Sequence, residues 1–254
     1  MPSRPVDRLP PCILVLWDVD HTLIETRGVG FIIYQRAFKA ATGQDLYHLS
    51  EVSGRTELDI IAETLRINGL EPSGEAIAGL VNALIAGYEA ATSELATTGR
   101  VLSGAKETLA LLTEDPTIYQ TVLTGNLKNV ARIKLETFDL AQYLDLEAGA
   151  YGEDDHDRTE LVYLAQCRTR TITGMTLANR QTVIIGDAPN DVHAAKTAGV
   201  HIIAVASGKS DTDKLKQSGA EKVLVDLRDA KRVRYLINSR IRIISSRVAD
   251  SKSA

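Results

Sequence analysis

Short, mainly apolar runs recur along the chain as CILVLW (residues 12–17), YQTVLT (119–124), QTVIIG (181–186) and VHIIAVA (200–206), with KVLVD (222–226) as a shorter fifth. Between the later runs lie LKNVARIKLETF, RTELVYLAQCRT and NDVHAAKTAG, in which apolar residues return at helical spacing. A strand that is apolar on both sides needs cover on both faces, and alternating helices supply it. The pattern predicts an α/β fold built on a doubly wound parallel sheet. From residue 25 to about residue 98 only helical periodicity is found, in FIIYQRAFKAAT, ELDIIAETLRIN and SGEAIAGLVNALIAGYEAAT. An all-helical unit over 25–98 is therefore expected, inserted after the first strand of a discontinuous core made of 1–24 and 99–254. Gly28 and Gly30 at one edge, and TTGRVLSG at the other, suit hinges.

With 254 residues, 44% of them hydrophobic, the chain can bury a sizeable core. Its net charge of −4 offers no concentrated basic surface, so nucleic acid is not an expected partner. Cys12 and Cys167 have no metal-ligand spacing around them and fit a reducing setting. The N-terminal MPSRPVDRLPPC leads into an apolar stretch that Asp18 breaks too early for a signal peptide or a membrane span. A cytoplasmic protein without membrane contact is expected. The basic C-terminal segment, RDAKRVRYLINSRIRIISSRVADSKSA, reads as a peripheral helix with a frayed tail.

In an open α/β sheet the binding crevice lies beyond the carboxyl ends of the strands. The residues found there are DVDHT after the first run, TGN after the second and GDAPND after the third. Asp18 and Asp20 point the same way by strand alternation, and two like charges so close are costly unless a cation or a proton intervenes. Each cluster alone is a weak signal, since Asp187 could merely cap a helix and TGN is a turn in its own right. Together, at successive strand ends, they form a phosphate-and-metal site.

With these residues in that order the chain resembles the haloacid dehalogenase superfamily, in its phosphatase branch with a helical cap after the first strand. Asp18, Asp20 and Thr22 match its D-x-D-x-T motif, Thr124 its strand-end hydroxyl, and Asp187 and Asp191 its final acidic motif. GRTELDII and VLSGAKETLALL are similar to the cap loop and post-cap helix of phosphoglycolate-phosphatase-like members. The family's usual lysine is missing, for none lies between Leu144 and Asp187. Arg158 opens a helix at a suitable distance and is the candidate in its place. Arg180 would lie at the wrong end of the sheet, and Arg168 and Arg170 at the far end of the helix.

The resemblance implies Mg²⁺, held by the Asp18 carboxylate, the Asp20 backbone carbonyl and the Asp187 carboxylate, with Asp191 bound through water or one shell further out. It implies Asp18 as nucleophile and Asp20 as the acid and base that serves the leaving oxygen and then water. Thr124, Gly125, Asn126 and Arg158 would hold the phosphoryl oxygens. Arg55, before a Thr56/Asp59 spacing like a capping box, could read the substrate's leaving group or could simply be solvated. His21 stands where relatives commonly carry glycine; packing within the loop is its plainer reading, contact with substrate the sharper one.

The activity expected is hydrolysis of a small phosphorylated metabolite. A β-phosphoglucomutase-like phosphoryl transfer would use the same core residues and is separated from hydrolysis by sustained phosphate release. Asp20 weakens a dehalogenase reading, and a phospho-accepting switch is disfavoured by the helical insert. Neither the substrate nor the oligomeric state can be read from these motifs.

Overall fold

The computed structural model describes residues 12–239. The N-terminal polar segment and the last part of the basic C-terminal segment lie outside the described residues. Among those described, no helix is long and apolar enough to cross a membrane.

A five-stranded sheet forms the centre, in the order β4 (Ile118–Val122), β1 (Ile13–Trp17), β5 (Thr182–Gly186), β6 (His201–Val205), β7 (Val223–Leu224). All of its pairings are parallel. β1 shows why the fold is doubly wound. Ile13, Val15 and Trp17 point into one apolar cluster, with α5 (Ala105–Thr113) and α6 (Lys128–Thr137). Leu14 and Leu16 point into the opposite one, with α7 (Arg158–Thr173) and α8 (Pro189–Ala198). Every residue of β1 is buried, so slipping it by one residue would exchange the two faces wholesale. After β6 comes α9 (Thr212–Gln217), and residues 230–239 are helical against the first of these clusters through Val233 and Ile237.

Residues 29–98 hold four helices, α1 (Val29–Thr42), α2 (Glu57–Ile67), α3 (Gly74–Ala90) and α4 (Thr92–Thr98). They share a cluster built on Ile33, Phe38, Ile61, Leu65, Leu80 and Leu84, paired four or five residues apart on their helices, with Leu95 from α4. Leu127 and Val130, at the start of α6, belong to the same cluster, which seats the insert on the sheet's covering layer. The segment 73–92, expected as a single helix, breaks at Ala91, and α4 follows.

Where hinges were expected, two short strands pair antiparallel, β2 (Ile24–Glu25) with β3 (Arg100–Val101). Arg100 Nη2 lies 2.7 Å from Glu25 Oε2 across them. Two-residue strands have no periodicity to read, which is why neither could be found in the sequence. The entry and exit of the insert therefore run side by side as one ribbon.

Candidate active site

The N–H of Asp18 still donates to Ile185 O at 2.9 Å, so sheet pairing fixes this backbone just beyond β1. Its buried carboxylate is held at both oxygens: Oδ1 accepts from Arg158 Nη2 at 2.7 Å, and Oδ2 from the Thr22 hydroxyl at 3.0 Å. Arg158 opens α7, whose N-cap Asp157 accepts from Thr159 N–H at 2.8 Å. The same Nη2 donates to Leu123 O at 3.2 Å and lies 2.7 Å from Asp191 Oδ1. Asp187 follows β5, and Asp191 sits in the first turn of α8, where its Oδ2 accepts from Ala188 N–H at 3.1 Å.

One carboxylate oxygen from each of Asp18, Asp187 and Asp191 lies within 4.8 Å of the others, and all three residues are buried. Burial, reinforced by Asp191, pushes Asp18 up to about 7 against the pull of Arg158. Burial, then Asp18 and Asp191, pushes Asp187 up to about 9. A single guanidinium is too little positive charge for this trio. A hard divalent cation such as Mg²⁺ fits the donor set: the ligand atoms are oxygens, they are short of charge, and Asp191 Oδ1 is buried without an aligned hydrogen bond. The loop after β6 closes on the trio so tightly that a Cβ at Gly208 would collide with Asp187 Oδ2.

Asp20 faces a second cluster. Lys134 Nζ donates to its Oδ1 at 2.9 Å and Oδ2 at 2.7 Å, and Asn126 Nδ2 donates to Oδ2 at 2.7 Å. Burial alone would raise the Asp20 carboxyl; Lys134 and Asn126 outweigh it and hold it below the usual carboxylate range. Lys134 is itself buried on α6, donates to Asn126 Oδ1 at 2.6 Å, and stands 5.1 Å above the Tyr88 ring of α3. Glu57, the first residue of α2, also faces this cluster, and burial pushes its carboxyl up to about 7 despite Lys134.

Asp18, Asp20, His21, Arg55, the Thr124–Asn126 turn, Arg158, Asp187 and Asp191 all line one cavity of about 220 Å³ between insert and sheet. Not all are free to act there. The Asn126 amide, expected on phosphate, is committed to Asp20, Lys134 and the Thr124 hydroxyl, the last at 2.7 Å. Arg55 turns back on its own helix, with Nε 2.7 Å and Nη2 2.6 Å from Asp59 Oδ2 and Nη1 2.6 Å from Ser50 Oγ. Asp59 thus serves Arg55, and Thr56 makes no side-chain cap. His21 has φ 62°, the left-handed conformation that glycine tolerates best, and Ser207 Oγ donates to its carbonyl at 2.6 Å. Arg168 is bound to Asp154 and Gly149 O, away from the cavity.

Lys134 and Glu57 were missed. A lysine among Val130, Ala131 and Leu135 on the apolar face of an amphipathic helix is a visible anomaly, since such a position rarely keeps a charge without a partner. Glu57 offered no signal, because an acidic residue in a first helical turn is ordinary.

A parallel sheet whose strand ends bring buried aspartates against one arginine, under a helical insert, is the core of an α/β enzyme. The family model described as haloacid dehalogenase-like hydrolase matches residues 15–205, and the chain belongs to that family of enzymes. No curated protein matches the sequence significantly. Among solved structures, a predicted phosphatase from Clostridium acetobutylicum is similar, with TM-score 0.66, 18% identity, and coverage of 88% of this chain and 98% of that one. A hydrolase from Pseudomonas syringae gives TM-score 0.63 at 20% identity over 87% and 96%. A candidate β-phosphoglucomutase from Bacteroides vulgatus gives TM-score 0.63 at 18% identity over 91% and 90%. At these identities the likeness is one of fold.

The acidic trio makes a prediction independent of catalysis. Asp18 and Asp187 keep protons in the folded protein that an unfolded chain releases near pH 4, so metal-free stability should fall as pH rises from about 4 towards 9. Mg²⁺ competes with those protons and should raise the melting temperature more at about pH 8.5 than at about pH 5.5, and Asp187→Asn should remove most of the shift. Equal shifts at both pH values, or an unchanged shift in the variant, would place the ion elsewhere.

Proposed function

We propose that the protein is a Mg²⁺-dependent phosphatase that hydrolyses a small phosphorylated metabolite through an aspartyl-phosphate on Asp18. The observation that carries this reading is the contrast between two aspartates on one cavity, Asp18 gripped by Arg158 and Thr22, and Asp20 gripped by Lys134 and Asn126. We further propose that residues 25–98 act as a cap over that cavity. The free cysteines Cys12 and Cys167 accord with a cytoplasmic setting.

Mg²⁺ held by Asp18, Asp187 and the Asp20 carbonyl, with Asp191 bound through water or one shell further out, would supply the positive charge that lets an anionic nucleophile approach a phosphate. Asp18 attacks phosphorus, and the bond from phosphorus to the ester oxygen breaks. Arg158, which reaches both Asp18 and Asp191, keeps the nucleophile oriented and offsets charge as the phosphoryl group transfers. The Thr124 hydroxyl and the backbone beside Gly125 face the space where its oxygens would lie.

Asp20 gives its proton to the leaving oxygen, then takes one from the water that attacks the aspartyl-phosphate and frees phosphate. Lys134 keeps it ionised in the empty site, which suits the second half of the cycle. An arriving phosphate brings negative charge that raises its affinity for a proton, which suits the first half.

Phosphate release, measured with Mg²⁺ and with excess EDTA, tests the reading. Asp18→Asn should abolish turnover. Asp20→Asn should still form the aspartyl-phosphate from acetyl phosphate, whose leaving group needs no acid, but lose it slowly. Loss of phosphorylation in both variants would undo the division of roles, and phosphoryl movement within a sugar without sustained release would point to a transferase.

Arg158→Ala should lower kcat/KM by about a hundredfold or more, with much of it restored in Arg158→Lys. Near-normal turnover in folded Arg158→Ala would remove Arg158 from the site. Lys134→Met should lower kcat by about tenfold or more and move the acid limb of the pH–rate profile upward, because Asp20 loses the cation that keeps its pKa low. An unmoved acid limb would make Lys134 a packing residue only.

A further inference from the structure

The two cations that come from the insert's side of the cavity are both spent. Arg55 is closed onto Asp59, Ser50 and Glu51 O. Lys134 has three N–H donors, and the two oxygens of Asp20 and Asn126 Oδ1 take them all. Of the remaining cations on the cavity, Arg158 is bound to Asp18, and Lys209 follows Gly208, whose backbone abuts Asp187.

What the insert presents instead is acidic and aromatic. Glu57 faces the cavity with no hydrogen bond or ion pair to its carboxylate among the described residues, its backbone N–H anchored on Gly125 O at 2.7 Å. The Tyr34 hydroxyl, on a residue 7% exposed that also lines the cavity, makes no hydrogen bond of good geometry, with the Thr64 side chain as a weak neighbour. The rings of Tyr34, Tyr88 and Phe31 and the side chain of Ile60 complete this wall. A half-buried carboxylate without a hydrogen bond and a buried hydroxyl without a well-formed one each lose part of their solvation, so a ligand that satisfies both gains twice.

We propose that the alcohol released by this enzyme carries a protonated amine and no carboxylate, the amine pairing with Glu57 and donating to the Tyr34 hydroxyl. This rests on the phosphatase reading and specifies its substrate class as a short phosphorylated amino alcohol. Facing aromatic rings favour an ammonium as well. A leaving group with a carboxylate would set a second negative charge against Glu57, which counts against a phosphoglycolate-type substrate despite the resemblance of the surrounding loop.

Three esters of nearly equal size isolate the effect: 2-aminoethyl phosphate, 2-hydroxyethyl phosphate and phosphoglycolate, with acetyl phosphate as a small activated control. The intact protein with Mg²⁺ should show kcat/KM for the aminoethyl ester about tenfold or more above the hydroxyethyl ester, with phosphoglycolate lowest. Glu57→Gln should bring the first ratio towards one. Phosphate from none of the four compounds overturns the phosphatase reading and this inference with it. Phosphate from acetyl phosphate but from none of the three esters, a phosphoglycolate rate equal to or above the aminoethyl rate, or a ratio untouched by Glu57→Gln overturns the substrate class alone.

Discussion

The contact on which this structure turns is the Arg158 guanidinium, 2.7 Å from both Asp18 and Asp191 in a setting that excludes most water. Carboxylates buried this close repel one another and resent desolvation, so without a cation among them the strand ends could not converge as ionised groups. Much of the local architecture serves to hold that constellation. Adjacent parallel strands β1 and β5 bring Asp18 and Asp187 side by side. The first turn of α8 adds Asp191, and the capped start of α7 delivers Arg158 from the opposite direction. Arginine can do this where a lysine would be customary because its planar fork presents several donors at fixed angles; here one nitrogen serves two carboxylates and the Leu123 carbonyl.

Two residues separate Asp18 from Asp20, yet their environments drive them in opposite directions. Asp18 is buried, beside like charges, and is pushed towards neutrality; Asp20 sits under Lys134 and stays ionised. Each has a cation of its own, one from α7 and one from α6. Such separation is what a pair of carboxylates needs if one is to bond phosphorus while the other moves protons.

The parallel sheet was legible because its buried strands are near-continuous apolar runs, and each of them ends in polar residues that the fold had to place on one edge. The strand-end residues on the cavity were legible for the same reason, whereas Lys134 and Glu57, which helices bring to it, were not. What could not be read was orientation. Arg55 lines the cavity, but whether its guanidinium points in or back depends on Ser50 and Asp59, whose positions only the folded loop decides. Asn126 next to Thr124 suggested a phosphate loop; its amide instead answers Asp20, distant in sequence. The ribbon of β2 and β3 left no trace at all, since two residues cannot show a period.

The insert and the sheet are joined at the point where chemistry and selectivity meet. Gly125 is pressed between Arg55 O, which a Cβ would strike, and Gly152, whose own Cβ would strike Gly125 O. Only glycines allow the backbone of the insert's loop to lie this near the strand end, and the Glu57 N–H to Gly125 O bond then fixes that loop. The consequence is that Glu57 and Thr124 are registered to each other by backbone, independent of their side chains. Asp20 is registered to α3 by side chains instead, through Lys134 and the Tyr88 ring. Displacing the insert would disturb Lys134 and the wall that carries Glu57 together, so under the proposed function the residues that select a substrate are mechanically tied to the one that protonates it.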